Sequence, residues 1–206
     1  MSEEILKLSE MQIDALREVG NVGAGNAATA LSQIINRQID MTVPRVTIMP
    51  LGDVPDVVGG PDAMVAGVYF RVFGPAPGSI LFLLPRESAF SLVDMLMGRE
   101  KGHTQALNSL DESALMEIGN ILSGAYLNAL SYFTKFTLLP SIPALAVDMA
   151  GAILSIILIQ IGQMGDHALV IETEFTSAGG GVKGHFFLIP DPGSLNVILT
   201  AIGVKE

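Results

Sequence analysis

The sequence contains no cysteine. That absence excludes disulfides, thiolate nucleophiles, iron–sulfur clusters and cysteine-ligated zinc together. Histidine is scarce as well: His103, His167 and His185 lie far apart, none with a second ligand at helical spacing, so no metal centre is expected. Positive charge is short, with 11 basic against 21 acidic residues and a net charge of −10. No Lys/Arg cluster is present to follow a phosphate backbone, which excludes nucleic acid as the main ligand. Long apolar runs are missing too. Mean hydropathy is high, +0.51, but the longest apolar stretch, Met149 to Ile159, is closed by Asp148 and Gln160. A spanning helix needs about 20 residues, so no membrane span is expected, and the segment reads as a helix buried beneath a sheet or, alternatively, a docking surface. The Met1-Ser-Glu-Glu start lacks the basic and apolar regions of a signal peptide, which makes a cytoplasmic location the expectation. No G-x4-G-K-[ST], G-x-S-x-G or H-E-x-x-H motif occurs. Gly23-Ala-Gly25-Asn-Ala-Ala28 fits a dinucleotide fingerprint, but Leu16 to Val19 before it read as helix rather than strand.

What the chain does have is a duplication. Asp14-Ala-Leu-Arg-Glu18-Val-Gly-Asn21 is matched by Ser113-Ala-Leu-Met-Glu117-Ile-Gly-Asn120 at an offset of 99, and Pro44 is matched by Pro143 at the same offset. A second pair, Ile80–Pro85 with His185–Pro190 and Gly98 with Gly203, shares an offset of 105. Two repeats follow, about 9–100 and 108–206, with no long linker between them, so 1–206 is expected to be a single domain around one core.

Periodicity and punctuation predict a helix from a Ser9 cap towards Arg37, with Gln12 at the capping-box distance. Gly20, Gly23 and Gly25 inside it predict a kink or two abutting helices, since each glycine costs up to about 1 kcal/mol relative to alanine. Extended segments are expected at 39–49, 63–73 and 78–84, a loop at 53–62 and a helix at 87–97 ended by Gly98. The second half predicts helix 111–134, strand 135–139, helix 149–162, strands 167–175 and 182–189 joined through Gly179–Gly181, and a closing helix 193–202. The fold class is α+β: an internally duplicated, pseudo-twofold, mostly antiparallel sheet with two long exposed helices.

At about 100° per residue, Asp14, Glu18 and Asn21 fall within about 60° of one another on a helix, and Ser113, Glu117 and Asn120 repeat that stripe. A polar stripe is commonly just the solvated face of a helix. Its duplication, with apolar Leu16, Val19, Leu115 and Ile118 on other faces, gives it a further meaning as a docking edge. Gly20 and Gly119 beside each Asn would leave bare backbone for a partner's close approach. A carboxylate there serves as general base or pairs with a Lys or Arg of a partner. A carboxamide has a donor and an acceptor and no useful pKa, and its natural catalytic role is to hold a water in line, as the glutamine of small GTPases does. Phosphate or Mg²⁺ would then come with the substrate.

The pattern D/S-x3-E-x2-N-x22-P, present at 14–44 and 113–143, resembles the signature of the CheC/CheX/FliY family of chemotaxis phosphatases, most closely its CheC branch. The resemblance covers nearly the whole chain. It implies hydrolysis of the aspartyl phosphate of the response regulator CheY, with Asn21 and Asn120 orienting the attacking water and Glu18 and Glu117 anchoring the helices on a lysine of the regulator. Asp14 and Ser113 become peripheral docking residues, and Pro44 and Pro143 structural ones. No cofactor of its own is implied, since Mg²⁺ resides in the regulator. Members of that family also pair with the receptor deamidase CheD, so a non-catalytic binding module or adaptor is the alternative. A flagellar-switch component is a third reading, one that would normally bring an additional domain. A built-in duplication removes the need to dimerise to obtain two sites, and a monomer is expected.

Overall fold

The computed structural model describes residues 8–36, 38–161, 167–177 and 180–204. In chain order its elements are α1 (Glu10–Ile35), β1 (Asp40–Pro50), α2 (Val54–Val57), β2 (Met64–Phe73), β3 (Gly78–Pro85), α3 (Arg86–Met97) and α4 (Ser109–Thr134). They continue with β4 (Leu139–Pro140), β5 (Ala144–Met149), α5 (Ala150–Ile161), β6 (His167–Ser177), β7 (Gly180–Pro190) and α6 (Ser194–Ala201). A short 3-10 turn, Leu51–Asp53, leads into α2.

The two long helices start alike because both copies carry a capping box. The Ser9 hydroxyl accepts from the Gln12 amide at 3.3 Å while the Gln12 side chain accepts from the Ser9 amide at 2.9 Å. Asn108 and Asp111 repeat the exchange, each bond 3.1 Å long. Both helices also stop alike, on left-handed residues, Asn36 (φ 52°) and Lys135 (φ 61°). Gly98 (φ 65°) and Gly203 (φ 86°), matched in the repeat, end α3 and follow α6 in the same backbone region, which glycine adopts without a Cβ penalty.

Every strand pairing is antiparallel, and the seven-stranded sheet runs β1-β6-β7-β3-β2-β4, with β5 also on β2. The order reads the same when the strands of the two repeats are exchanged. β3 and β7, the matched strands, pair at the centre: Leu81 faces Phe187 and Phe82 faces Phe186. Shifting Leu81 and Phe187 by the repeat offset regenerates the second pair, so the pseudo-twofold passes between them. Each repeat's first strand, in contrast, is captured by the other repeat, β1 by β6 and β5 by β2. Pro44 falls where the β1–β6 register shifts, and Pro143 directly precedes β5, positions where a missing amide hydrogen is tolerated.

Side chains alternate across this sheet and fill two cores. Val68, Phe70, Ile80, Phe82, Ile171 and Phe186 face α1, α3, α4 and α6. Val65, Leu81, Leu83, Val170 and Phe187 face α2 and α5. α5 buries Ala150, Ile153, Leu154 and Ile157 there, as expected for the apolar segment, while Ile156 and Ile159 on its other side stay exposed. Among the described residues no helix is long and apolar enough to cross a membrane.

Several local expectations need correction. α1 runs as one helix rather than two abutting ones, with Gly20 and Gly23 buried inside it, Gly23 against Tyr126. The 53–62 loop contains α2. Strand 135–139 shrinks to β4, since Lys135 is the left-handed cap of α4, and β5 was not anticipated from its mostly exposed residues. Arg37, residue 162 and Gly179 lie outside the described residues.

The connection between the repeats is stapled by Asp94 at the end of α3. Its buried carboxylate accepts from the amides of Gly102, His103 and Thr104 at 2.8, 3.0 and 3.0 Å and from the Thr104 hydroxyl at 2.6 Å. Arg99 donates to the Thr104 hydroxyl at 2.9 Å and lies 2.8 Å from the Asp111 carboxylate at the start of α4. Burial opposes the charge on Asp94, but the Thr104 hydroxyl and the three amides outweigh it and hold the pKa below the ordinary carboxylate value.

A Cβ added at Gly119 would come within 2.7 Å of Val68 Cγ1, whereas one at Gly25 would meet nothing within 4 Å. Gly119→Ala is therefore expected to destabilise by about 1–3 kcal/mol in urea unfolding, and Gly25→Ala to stabilise by about 0.5–1 kcal/mol. A depressed Asp94 pKa means its contribution is present above the unfolded value of about 3.9 and lost as pH falls through the lower folded value. Asp94→Asn should cost about 2–3 kcal/mol at neutral pH and flatten the acid limb of the stability–pH curve.

Candidate functional site

α1 and α4 pack against each other and against one face of the sheet. Tyr126 of α4 is the joint: it is buried, stacks on Phe186 with ring centroids 4.3 Å apart, and lies against the bare backbone of Gly23. Its hydroxyl is 3.3 Å from the Thr173 hydroxyl, and burial pushes its pKa up to about 12. Leu16, Val19, Ala27 and Leu31 of α1, with Leu115, Ile118, Leu122 and Leu130 of α4, turn into the same core.

The opposite sides of both helices carry the two stripes. Asp14, Glu18, Asn21, Ser113, Glu117 and Asn120 are all exposed, so the structure brings each triplet onto one outward face. Gly20 and Gly119 are not part of that edge, contrary to expectation. Both are buried, Gly20 against Val43 and Ile171 and Gly119 against Val68 and Phe70. One residue along a helix turns the direction by about 100°, which is enough to move the glycine from the Asn face to the sheet. The missing Cβ of Gly119 lets α4 lie close on the sheet, whereas a Cβ at Gly20 would make ordinary contacts with Val43 and Ile171, and partner contact is left to the stripe side chains.

The stripe residues differ in how much they are already engaged. Asp14 pairs with Arg17 at 2.8 Å, and the Ser113 hydroxyl donates to the Ser109 carbonyl at 2.8 Å. Among the described residues, the side chains of Glu18, Asn21, Glu117 and Asn120 make no hydrogen bond or ion pair. The Asn120 carbonyl, a backbone group, accepts from the Ser123 hydroxyl at 3.1 Å. A carboxylate and a carboxamide three residues apart on one face lie about 5–6 Å apart at Cβ. Both can enter a partner's site without first breaking a bond.

An open groove of about 960 Å³ runs between the end of α1 and β1, and another of about 490 Å³ lies between Phe136 and α6. Neither includes a stripe residue. The stripes lie on exposed helix faces, open to contact with another molecule. Among the described residues no group of three or more His, Asp or Glu could hold a metal ion. His185 sits in β7 opposite Leu83 and Glu172, and desolvation holds its pKa below the ordinary histidine value. Gly23 to Ala28 lie wholly inside α1 and form no strand-to-helix loop.

Sequence reasoning passed over Arg17, Tyr126 and Asp94. For Arg17 a signal existed: it is the one basic residue in α1 and α4 together.

Because the two Asn side chains support nothing inside the fold, Asn21→Ala and Asn120→Ala should each leave unfolding stability within about 0.5 kcal/mol. Chemical denaturation monitored by circular dichroism checks this, and a loss above about 2 kcal/mol would assign them a structural role.

Comparison with known proteins picks out the same two helices. The CheC-like family model matches residues 11–48 and 110–146. Over 202 residues the chain is 39% identical to the CheY-P phosphatase CheC of Bacillus subtilis (strain 168), covering 96% of this chain and 97% of that protein. It is 33% identical over 129 residues to the flagellar motor switch phosphatase FliY of the same organism, 62% of this chain but 33% of that longer protein. The X-ray structure of Thermotoga maritima FliY shares the fold, with a TM-score of 0.78 and 21% identity over 98% of this chain and 100% of that one.

Proposed function

The chain belongs to the CheC-like family, and from that membership we propose that it hydrolyses the aspartyl phosphate of the chemotaxis response regulator CheY, with Asn21 and Asn120 positioning the attacking water. The supporting observation is the duplicated pair of exposed Asn side chains, each without a hydrogen bond among the described residues. In the reaction the water oxygen attacks phosphorus and the bond from phosphorus to the regulator's carboxylate oxygen breaks. The carboxylate leaves with the electron pair, and the water's proton passes to the released phosphate. The Asn carboxamide accepts from the water and donates to a neighbouring oxygen, which fixes the line of attack without any change of protonation. Glu18 and Glu117 anchor each helix on a cation of the regulator, a lysine by family resemblance. Asp14 and Ser113 lie at the contact's edge. Mg²⁺ belongs to the regulator, and the enzyme brings none of its own.

The two repeats, 9–100 and 108–206, act as one cytoplasmic, monomeric unit with two sites. The same exposed face also suits capture of the regulator without turnover, or an adaptor role towards the receptor deamidase CheD. Phosphate release under excess phosphorylated regulator separates catalysis from capture.

Asn21→Ala and Asn120→Ala should each lower phosphate release, and the double variant should lower it by about 100-fold, the few kcal/mol that aligning one water supplies. Undiminished release by the double variant would sink the mechanism.

A further inference from the structure

We infer that Arg17 makes the first site the tighter of the two, by binding an anionic group of the phosphorylated regulator beside Asn21. This inference rests on the water-positioning reading of Asn21 and Asn120.

Three observations carry it. Across α1 and α4, which hold both stripes, Arg17 is the single basic residue, in a chain whose net charge is −10. It lies one turn before Asn21, at the i, i+4 spacing that puts two side chains on one helix face. The repeat offset places Met116 at the matching position of the second site. The two sites thus share Glu and Asn but differ in one positive charge.

The geometry suits an exchangeable contact. Arg17 reaches back to Asp14 at 2.8 Å, with relative side-chain exposures of 45% and 68%. Exposed pairs of this kind are worth little, because water and salt screen both partners. Asp14 therefore keeps the guanidinium near the stripe without locking it there. An incoming phosphoryl group or a carboxylate beside it offers two oxygens for a bidentate, partly desolvated contact, a stronger one than that given up. A contact with an oxygen that the docked regulator already presents forms on binding, before the phosphorus–oxygen bond breaks. The contact is then equally present in ground and transition states, and its effect falls on KM rather than kcat. The second site, with a thioether instead, relies on Glu117 and Asn120 alone.

Single-site enzymes test this by phosphate release from a purified CheY-type regulator. In an Asn120→Ala background, which leaves the first site working, Arg17→Gln should raise KM about five-fold or more with kcat little altered, and Arg17→Lys should recover much of the loss. In an Asn21→Ala background, Met116→Arg should lower KM. The Arg17→Gln effect should shrink with added salt. Direct binding identifies the anion: a loss confined to the phosphorylated regulator assigns the phosphoryl group, and a loss for both forms assigns a carboxylate. A KM within two-fold of the parent after Arg17→Gln, with both single-site enzymes behaving as expected, overturns the inference alone. Full activity in the Asn21→Ala, Asn120→Ala double variant overturns the mechanism beneath it.

Discussion

The depth at which α1 and α4 sit on the sheet governs the rest of the molecule. Gly119 lets α4 approach Val68 and Phe70 where a Cβ would clash, Gly20 of α1 lies against Val43 and Ile171 at ordinary contact distance, and Gly23 lets Tyr126 close the joint between the helices. At that separation Leu16, Val19, Leu115 and Ile118 complete one core with the sheet's own alternating residues. The same rotation that points the glycines inward points each Asn outward. Packing and presentation are two sides of one helix, and neither can change without the other.

The sheet supplies the second constraint. Since β1 pairs with β6 and β5 with β2, each repeat contributes its edge strand to its counterpart, and the halves are bound by backbone hydrogen bonds as well as by the side-chain core they share. Arg71 of β2 adds an ion pair to Asp191 beyond β7, across the same divide. Over this symmetric frame the differences are local. The second signature helix is held at its start by Arg99 and the Asp94 staple, while the first rests on the Ser9–Gln12 box. The second site has Met116 where the first has Arg17. Two copies of one motif have been placed in different mechanical and electrostatic settings.

Much of this was legible in the sequence, for identifiable reasons. The repeat was visible because the helices carry fixed spacing, and β3 and β7 because their apolar runs end in proline. The first capping box follows from Ser9 and Gln12, whereas the second was missed because the helix was expected to begin at 111, inside the Asn108–Asp111 pair. β5 was hidden since an exposed edge strand has no apolar alternation to reveal it. The direction of Gly20 and Gly119 was misread because adjacency in sequence suggests a shared face, whereas a helix turns the next residue by about 100°. The Asp94 staple is a network of backbone amides in the loop, which residue types alone do not encode.

The captured edge strands carry a consequence for biosynthesis. Asp40 lies opposite Thr176, and the Thr176 hydroxyl bonds the Asp40 carbonyl across 136 residues of chain. When β1 leaves the ribosome its partner has not been made, so Val43 and Val46 await a strand from the far end of the protein. Such distant pairings close late, because loop entropy must be overcome before any contact is gained. The helix that carries the first stripe is thus synthesised early, while the strand that pairs with the β1 following it comes from the far end of the chain.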